Sequence, residues 1–135
     1  MDELDPVFTT VSRYFSLLAE PTRVRILHSI CQQERSVSEI VALTGATQTN
    51  VSRHLGTMHR AGVLSRRKHG QFIYYGIADP ALTEICRTVC VHIAGREAVR
   101  DDSRNRLMAF AHELDPVTAA ASRTESSGID IRSPR

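Results

Sequence analysis

The segment between Glu39 and Asp79 contains no acidic residue and carries five fixed positive charges. The cations are Arg53, Arg60, Arg66, Arg67 and Lys68. The whole chain has 17 basic and 15 acidic residues and a net charge of only +2, so its positive charge is concentrated in this segment. Clustered cations suit a polyanion, because each neutralised phosphate releases condensed counterions and makes binding salt-dependent. The pattern predicts binding to DNA; a merely solvated basic face is the alternative interpretation.

Three cysteines are the other residues that could do chemistry: Cys31, Cys86 and Cys90. An odd, small number cannot form a complete disulfide framework and indicates free thiols in a reducing, cytoplasmic compartment. Side chains at i and i+4 share one helical face, so Cys86 and Cys90 could hold one soft ion. Cys31 from another helix would complete a trigonal thiolate site for arsenite or a similar thiophile.

Two other interpretations of these cysteines stay open. The thiols could react with persulfide, peroxide or another electrophile, with a neighbouring thiol resolving the product. All three also lie at apolar positions, where a buried cysteine often acts as a small unreactive hydrophobe.

Proline and capping residues predict where the helices that position these groups begin. Asp5-Pro6, Glu20-Pro21 and Asp79-Pro80 each place proline at a first helical position, so they start the first, second and fifth helices. Ser36 and Glu39 form a capping box for a third helix that ends at Thr44-Gly45. Thr47 caps a fourth helix that ends at Ala61-Gly62, so two short helices flank a tight turn.

The fourth helix has the pattern of a DNA-recognition helix. Val51, Leu55 and Met58 recur on one face and are predicted to be buried. The opposite face is polar, and the N-terminal part of such a helix reads base edges in the major groove. The predicted DNA contacts on this helix are Gln48, Thr49, Asn50, Ser52, Arg53 and His54, with Arg60 placed at a phosphate.

A β-hairpin is predicted directly after this helix-turn-helix. Residues 63–67 and 72–77 read as strands, and Gly70 lies in the turn between them. Arg66, Arg67 and Lys68 cluster at its tip, where they could lie over the DNA backbone or enter a minor groove. The hairpin is therefore predicted to act as a wing.

The remaining chain is predicted to hold the fifth helix, a sixth helix and a tail. Leu82, Ile85, Cys86, Val89, Cys90 and Ile93 form one apolar seam on the fifth helix. Apolar residues over 107–114 suggest the sixth helix, after a charged stretch over 96–106. The expected organisation is one domain over residues 1–114 and a disordered, polar tail over 115–135.

Length and motifs exclude several classes of protein. The chain has 135 residues, 41% of them hydrophobic, which fits one globular domain and excludes a large multi-domain enzyme. No apolar run is long enough to span a bilayer, and the acidic N-terminus does not resemble a signal peptide. The Cys-x-x-x-Cys spacing, and the lack of a phosphate loop or nucleophile elbow, argue against an enzyme.

Together these segments resemble the ArsR/SmtB family of bacterial winged-helix repressors over about residues 7 to 95. The matching stretches are Glu20 to Leu27, Thr47 to Leu55, Gly62 to Leu64 and Gly70 to Tyr75. The resemblance implies a homodimer formed largely by the first and fifth helices, which binds an imperfect palindrome and is released by a ligand. Two-fold proteins read two-fold sites, which is consistent with that assembly.

The resemblance also implies two metal sites that this sequence lacks. Ser36 and Ser38 stand where members of the family place paired cysteines on the third helix. On the fifth helix Asp79 and His92 match a second family site, but Ala81 and Gly95 replace its other two ligands, so a tetrahedral zinc site cannot be completed.

The sequence thus predicts a mainly α-helical winged helix-turn-helix homodimer with a small β-hairpin. It is expected to bind operator DNA as a repressor without a cofactor, and to release it when a thiophilic metal or metalloid engages the cysteines. A redox-sensing or reactive-sulfur-sensing repressor, and a winged-helix protein-interaction module without an inducer, are the alternatives.

Overall fold

The computed structural model describes residues 3–96 and 98–115. In this part of the chain the helices are α1 (Asp5–Ser16), α2 (Pro21–Ile30), α3 (Val37–Thr44), α4 (Gln48–Arg60), α5 (Pro80–Ala94) and α6 (Asp101–Glu113). The strands are β1 (Arg35–Ser36), β2 (Leu64–His69) and β3 (Phe72–Ile77). The order of the helices and the hairpin follows the prediction. The predicted tail lies outside the described residues, apart from Asp115.

The capping signals around the helix-turn-helix are confirmed. The Glu39 amide donates to Ser36 Oγ at 3.3 Å, and the Ser36 amide donates to Glu39 Oε1 at 2.8 Å, which completes the capping box of α3. Gly45 ends α3 with a φ of 72°, a left-handed conformation that favours glycine. Thr47 Oγ1 accepts from the Asn50 amide and fixes the start of α4.

The core lies beneath α4 and joins it to α2, α3 and α5. Val51, Leu55 and Met58 of α4 are fully buried, as their spacing predicts. They belong to one apolar cluster with Ile26 and Leu27 of α2. Because protein interiors are close-packed, this cluster sets the orientation of the recognition helix.

The sheet has three strands rather than the predicted two. Its order is β1-β3-β2, and the extra strand pairs Arg35 with Tyr75 and Ser36 with Tyr74. A strand of two residues is too short to show the alternation that identifies strands in a sequence. It ties the start of α3 to the hairpin.

Helices α5 and α6 form an antiparallel pair, and α6 begins at Asp101, earlier than the sequence suggested. The Arg104 guanidinium explains the difference, because it donates to the Ala94 carbonyl at 2.7 Å and to Asp101 Oδ1 at 2.8 Å. It also donates to the carbonyls of Arg96 and Val99. This one side chain binds the end of α5 and stabilises the first turn of α6.

Helix α1 packs against the core through Tyr14, while its other large apolar side chains lie outside the core. Its apolar side chains Val7, Phe8, Val11 and Phe15 are about half exposed, between 48% and 58%. A hydrogen bond of 2.9 Å from Tyr14 Oη to Asp79 Oδ2 links it to the start of α5. The prediction of proline at the first helical position is wrong here, since Asp5 is the first residue of the helix and Leu4 occupies the cap position without a side-chain bond.

The predicted apolar seam of α5 is only partly buried. Leu82, Cys86 and Cys90 are buried, whereas Val89 is 49% exposed. Within residues 3–96 and 98–115, no helix is both long and apolar enough to cross a membrane.

Candidate nucleic-acid interface

The outer face of α4 carries most of the predicted reading residues in exposed positions. The exposed ones are Gln48, Thr49, Asn50, Ser52, Arg53 and Arg60. They project away from the buried row of Val51, Leu55 and Met58. The helix therefore presents amide, hydroxyl and guanidinium groups from a well-packed base, which is the arrangement that major-groove reading needs.

Two local contacts position the arginines of α4. Arg53 Nη2 donates to Asn50 Oδ1 at 2.9 Å, one turn earlier on the same helix. The Arg60 guanidinium lies back over Gly56, where a Cβ atom would come within 3.0 Å of Arg60 Nη1. Glycine at position 56 thus leaves the space that the Arg60 side chain occupies along the helix.

The predicted DNA contact of His54 is wrong. Its side chain is only 1% exposed and points into the protein toward α2, so it cannot reach a base or a phosphate in this conformation. His54 follows Val51 by three residues and precedes Met58 by four, which places it on the buried face. Burial lowers the pKa of His54, and the neighbouring Arg53 lowers it further, so the ring is neutral at pH 7.

The hairpin β2–β3 places Arg66, Arg67 and Lys68 on an exposed strand, followed by a turn in which Gly70 has a φ of 62°. Arg66 Nε donates to Tyr75 Oη at 3.2 Å. Among the described residues, Lys68 forms no ion pair. Its ammonium group is therefore available for a phosphate.

Arg67 is held by residues outside its own strand. Its guanidinium forms a 3.0 Å ion pair with Glu34 and stacks over the Tyr74 ring at 5.0 Å. Both charged side chains of this pair are more than a third exposed, which makes the pair weak in water. A phosphate could compete with Glu34 for the guanidinium.

Phe72 is a residue on this face that the sequence analysis missed. It opens β3 at the tip of the hairpin and is 56% exposed. Such a ring beside a basic tip can pack on sugar or base surfaces. An aromatic residue in a strand is usually interpreted as part of the core, which hides its possible role. The signal in the sequence that it is exposed was its position directly after the turn.

The three cysteines are free thiols and all are buried. Cys86 and Cys90 lie one turn apart on α5 and are hydrogen-bonded to each other. Cys31 caps the end of α2, close enough to affect the charge state of Cys86. In the described part of the chain, however, no three His, Cys, Asp or Glu side chains are arranged to hold a metal ion. The predicted trigonal site is therefore not assembled in this conformation.

Burial also makes these thiols poor nucleophiles. It raises the pKa of Cys86 to about 12, and Cys90 and Cys31 add to the rise. Burial raises the pKa of Cys31 to about 11, with a further contribution from the Glu113 carboxylate. The pKa of Cys90 is also raised by burial, although its hydrogen bond with Cys86 offsets part of the effect. At neutral pH the cluster is protonated, whereas thiolates are the metal-binding and nucleophilic form.

The remaining family positions have structural partners here. Asp79 Oδ1 accepts from the Ala81 amide and caps α5, while its Oδ2 accepts from Tyr14. Ser36 serves the capping box, and its hydroxyl also lies 3.2 Å from the Ser38 hydroxyl. These groups stabilise helix starts.

Comparison with known proteins agrees with this geometry. Residues 20–66 match the family described as "Bacterial regulatory protein, arsR family". The uncharacterised HTH-type transcriptional regulator Rv0081 of Mycobacterium tuberculosis is 35% identical over 107 residues, covering 76% of this chain and 94% of the relative. A "probable mercury resistance operon repressor" of Streptomyces lividans is 36% identical over 76 residues, covering 56% and 61% of the two chains.

Solved structures show the same architecture. The crystal structure of Rv0081 superposes with a TM-score of 0.60 at 33% identity, over 66% of this chain and 93% of that chain. The solution structure of the homodimeric winged helix-turn-helix DNA-binding domain of Mb0332 from Mycobacterium bovis gives a TM-score of 0.61 at 25% identity, over 74% and 96%. These proteins are regulators rather than enzymes, and they confirm the predicted winged-helix fold. The chain belongs to the ArsR/SmtB family of winged helix-turn-helix transcriptional regulators.

Proposed function

We propose that this regulator is a repressor that binds a palindromic operator as a homodimer, with α4 in the major groove and the β2–β3 hairpin over the adjacent backbone. The observation that carries the proposal is the exposed, cation-rich face formed by the outer side of α4 and the hairpin, on which Glu34 pairs with Arg67. Arg53 reads bases, while Arg60, Arg66, Arg67 and Lys68 contact phosphates. The domain that does this spans residues 1–114.

The apolar stripe of α1 supports the homodimer. Val7, Phe8, Val11 and Phe15 lie on one helix and stay about half exposed in the protomer. Contiguous exposed apolar surface of this kind is typical of a protein-protein interface. A second copy of α1, packed with α5, would cover it and set two recognition helices at a fixed separation.

Equilibrium binding to duplex DNA tests this proposal. The probe is the duplex that the full-length protein enriches from a random library of about 30 base pairs, long enough for two half-sites one helical turn apart. We expect tighter binding to this duplex than to a scrambled one, and a linear fall of log affinity with log salt concentration. Equal affinity for the two duplexes, or no salt dependence, would support a protein-interaction module instead.

We further propose that Cys86 and Cys90 receive the inducer. The pair is buried beside Cys31 in the packed region between α5 and α2. Because both thiols are buried, an adduct on either one must displace neighbouring side chains and shift α5. The mercury-resistance relative supports a thiophilic inducer for this chain. A soft ion bound by both sulfurs displaces two thiol protons, so release of DNA by such an ion is favoured at higher pH.

Oxidation of the same pair is the second candidate, favoured by the absence of a three-ligand group in the described part of the chain. Peroxide would take two electrons from Cys86 and Cys90, forming one sulfur-sulfur bond and two water molecules. Neither route requires a cofactor for DNA binding itself, and both place the regulator in the reducing cytoplasm.

A DNA-release titration separates these routes. The protein-operator complex is titrated with arsenite, cadmium, persulfide and peroxide, with wild type, Cys86→Ser/Cys90→Ser and Cys31→Ser compared. We expect the double variant to bind DNA normally and not to respond, with Cys31→Ser as the matched control. Normal release by the double variant would place the sensing site elsewhere.

A further inference from the structure

Three charged side chains surround the imidazole of His54 on the buried side of the recognition helix. Arg23 of α2 donates from Nε to His54 Nδ1 at 2.9 Å. Glu20, the residue before α2, places Oε2 at 3.1 Å from His54 Nε2. The guanidinium of Arg53 lies 3.2 Å from the same Nε2 atom. The only fully buried ionisable side chain of α4 is thus surrounded by three charged groups.

These contacts fix the tautomer of the ring. Nδ1 accepts a hydrogen bond from Arg23 and therefore carries no proton. The proton of the neutral imidazole must then be on Nε2, where it is donated to the Glu20 carboxylate. Arg53 Nη2 is also only a donor, so its 3.2 Å contact with Nε2–H is a steric contact and not a hydrogen bond; the hydrogen bond of this guanidinium goes to Asn50 Oδ1.

The same group connects α4 to α1. Arg23 Nη1 donates to the carbonyl of Ser16, the last residue of α1, at 3.2 Å. The imidazole therefore joins the end of α1, the start of α2 and the reading segment of α4. A shift of α1 or α2 would reach the Arg53 guanidinium through this contact.

We propose that His54 is a positioning residue for DNA reading: its ring, fixed by Glu20 and Arg23, occupies the space beside the Arg53 guanidinium and directs it toward Asn50. The inference rests on the proposed function, since it concerns how the recognition helix discriminates between bases. His54 does not touch DNA. Its removal lets Arg53 sample other rotamers, so base discrimination falls while the phosphate contacts remain.

A double-mutant cycle on His54 and Arg53 tests this role. The measured quantity is the ratio of affinities for the enriched duplex and for a scrambled duplex, at fixed salt, with full-length protein. We expect Arg53→Ala and His54→Leu each to lower the ratio by about tenfold, and the double variant to be no worse than Arg53→Ala within about twofold. The salt dependence of His54→Leu should equal that of wild type, because no phosphate contact is lost.

Conservative variants make the test specific. His54→Gln should recover part of the ratio, because its amide nitrogen can replace Nε2 as the donor to Glu20. Met58→Leu, a volume-conserving change on the same buried face, is the matched control and should leave the ratio unchanged. Losses that add in the double variant, or a His54→Leu variant that loses the same factor on both duplexes, would overturn the inference.

A second measurement uses the wild-type protein and therefore does not depend on whether the His54→Leu variant folds. Long-range 1H-15N correlation spectra of the wild-type protein report which ring nitrogen carries the proton, and we expect Nε2–H. An Nδ1–H tautomer would contradict the network. If the wild-type protein did not prefer the enriched duplex, the proposed function would be overturned, and this inference with it. If the wild-type protein kept its preference but the losses of Arg53→Ala and His54→Leu added in the double variant, only this inference would be overturned.

Discussion

The recognition helix and the wing carry similar positive charges but hold them in different ways. Helix α4 rests on three fully buried side chains, and Arg53 donates a hydrogen bond to Asn50 and lies against the His54 ring. On the wing, Arg67 depends on an exposed ion pair, and Lys68 has no ion-pair partner among the described residues. A rigidly held donor can discriminate between bases, whereas a loosely held cation contributes charge at any sequence. We therefore propose that the helix reads the base sequence and that the wing acts as an electrostatic clamp.

The largest effect is expected from removing the support of α4. Leu55→Ala leaves a cavity under the helix, because Leu55 is fully buried, and should lower the free energy of unfolding by about 2–5 kcal/mol. Urea unfolding followed by circular dichroism measures it. Leu43→Ala is the matched control, since Leu43 is 57% exposed on α3, and should change stability by less than about 0.5 kcal/mol. Equal losses of unfolding free energy for Leu55→Ala and Leu43→Ala would show that α4 does not depend on its buried contacts.

The next effect concerns the reader itself. Arg53→Ala should cost about 1–3 kcal/mol of binding to the enriched duplex and much less on a scrambled one, because a base contact is lost. Fluorescence anisotropy with both duplexes measures the difference. Arg106→Ala, which removes an equally positive and 79% exposed side chain from α6, is the control and should not change the preference. If Arg53→Ala lowered the affinity for both duplexes by the same factor, this arginine would contact phosphates rather than bases.

A smaller effect is expected on the wing. Lys68→Ala should weaken binding to both duplexes by the same factor and reduce the salt slope by about 1, because one phosphate contact is lost. Affinity measured at several salt concentrations gives the slope. A selective loss on the enriched duplex would mean that the wing also reads bases.

The smallest effect should come from Glu34, which pairs with Arg67. Glu34→Gln removes a negative charge next to the clamp and frees the Arg67 guanidinium, so affinity for any duplex should rise a few-fold. The free energy of unfolding should change little, because an exposed ion pair of this kind contributes at most about 1 kcal/mol to stability. The same anisotropy titration measures it. Weaker binding would show that Glu34 positions Arg67 for DNA rather than competing with it.

Local signals predicted much of this fold. The capping box at Ser36, the left-handed Gly45 and the buried spacing of Val51, Leu55 and Met58 all follow from interactions within a few residues, which a sequence displays directly. The hairpin was predictable for the same reason, because Gly70 lies between two strand-like runs.

The missed features depend on long-range contacts. Strand β1 exists because β3 passes beside residues 35–36, and Glu34 meets Arg67 only after the chain has folded back. The polar residue type of His54 indicates an exposed position, whereas its spacing from Val51 and Met58 indicates a buried one. The spacing is the signal that the fold follows. Its partners Glu20 and Arg23 lie before and within the first turn of another helix, so only the folded structure brings the three together.

The turn between α5 and α6 depends on the shape of one side chain. Arg104 reaches three main-chain carbonyls and one carboxylate because its guanidinium is planar and presents donors in several fixed directions. Lysine would carry the same charge but has a compact ammonium group on a flexible stem, and could not span this set. The reversal of direction after α5 thus depends on a single side chain that binds the end of one helix and the first turn of the next.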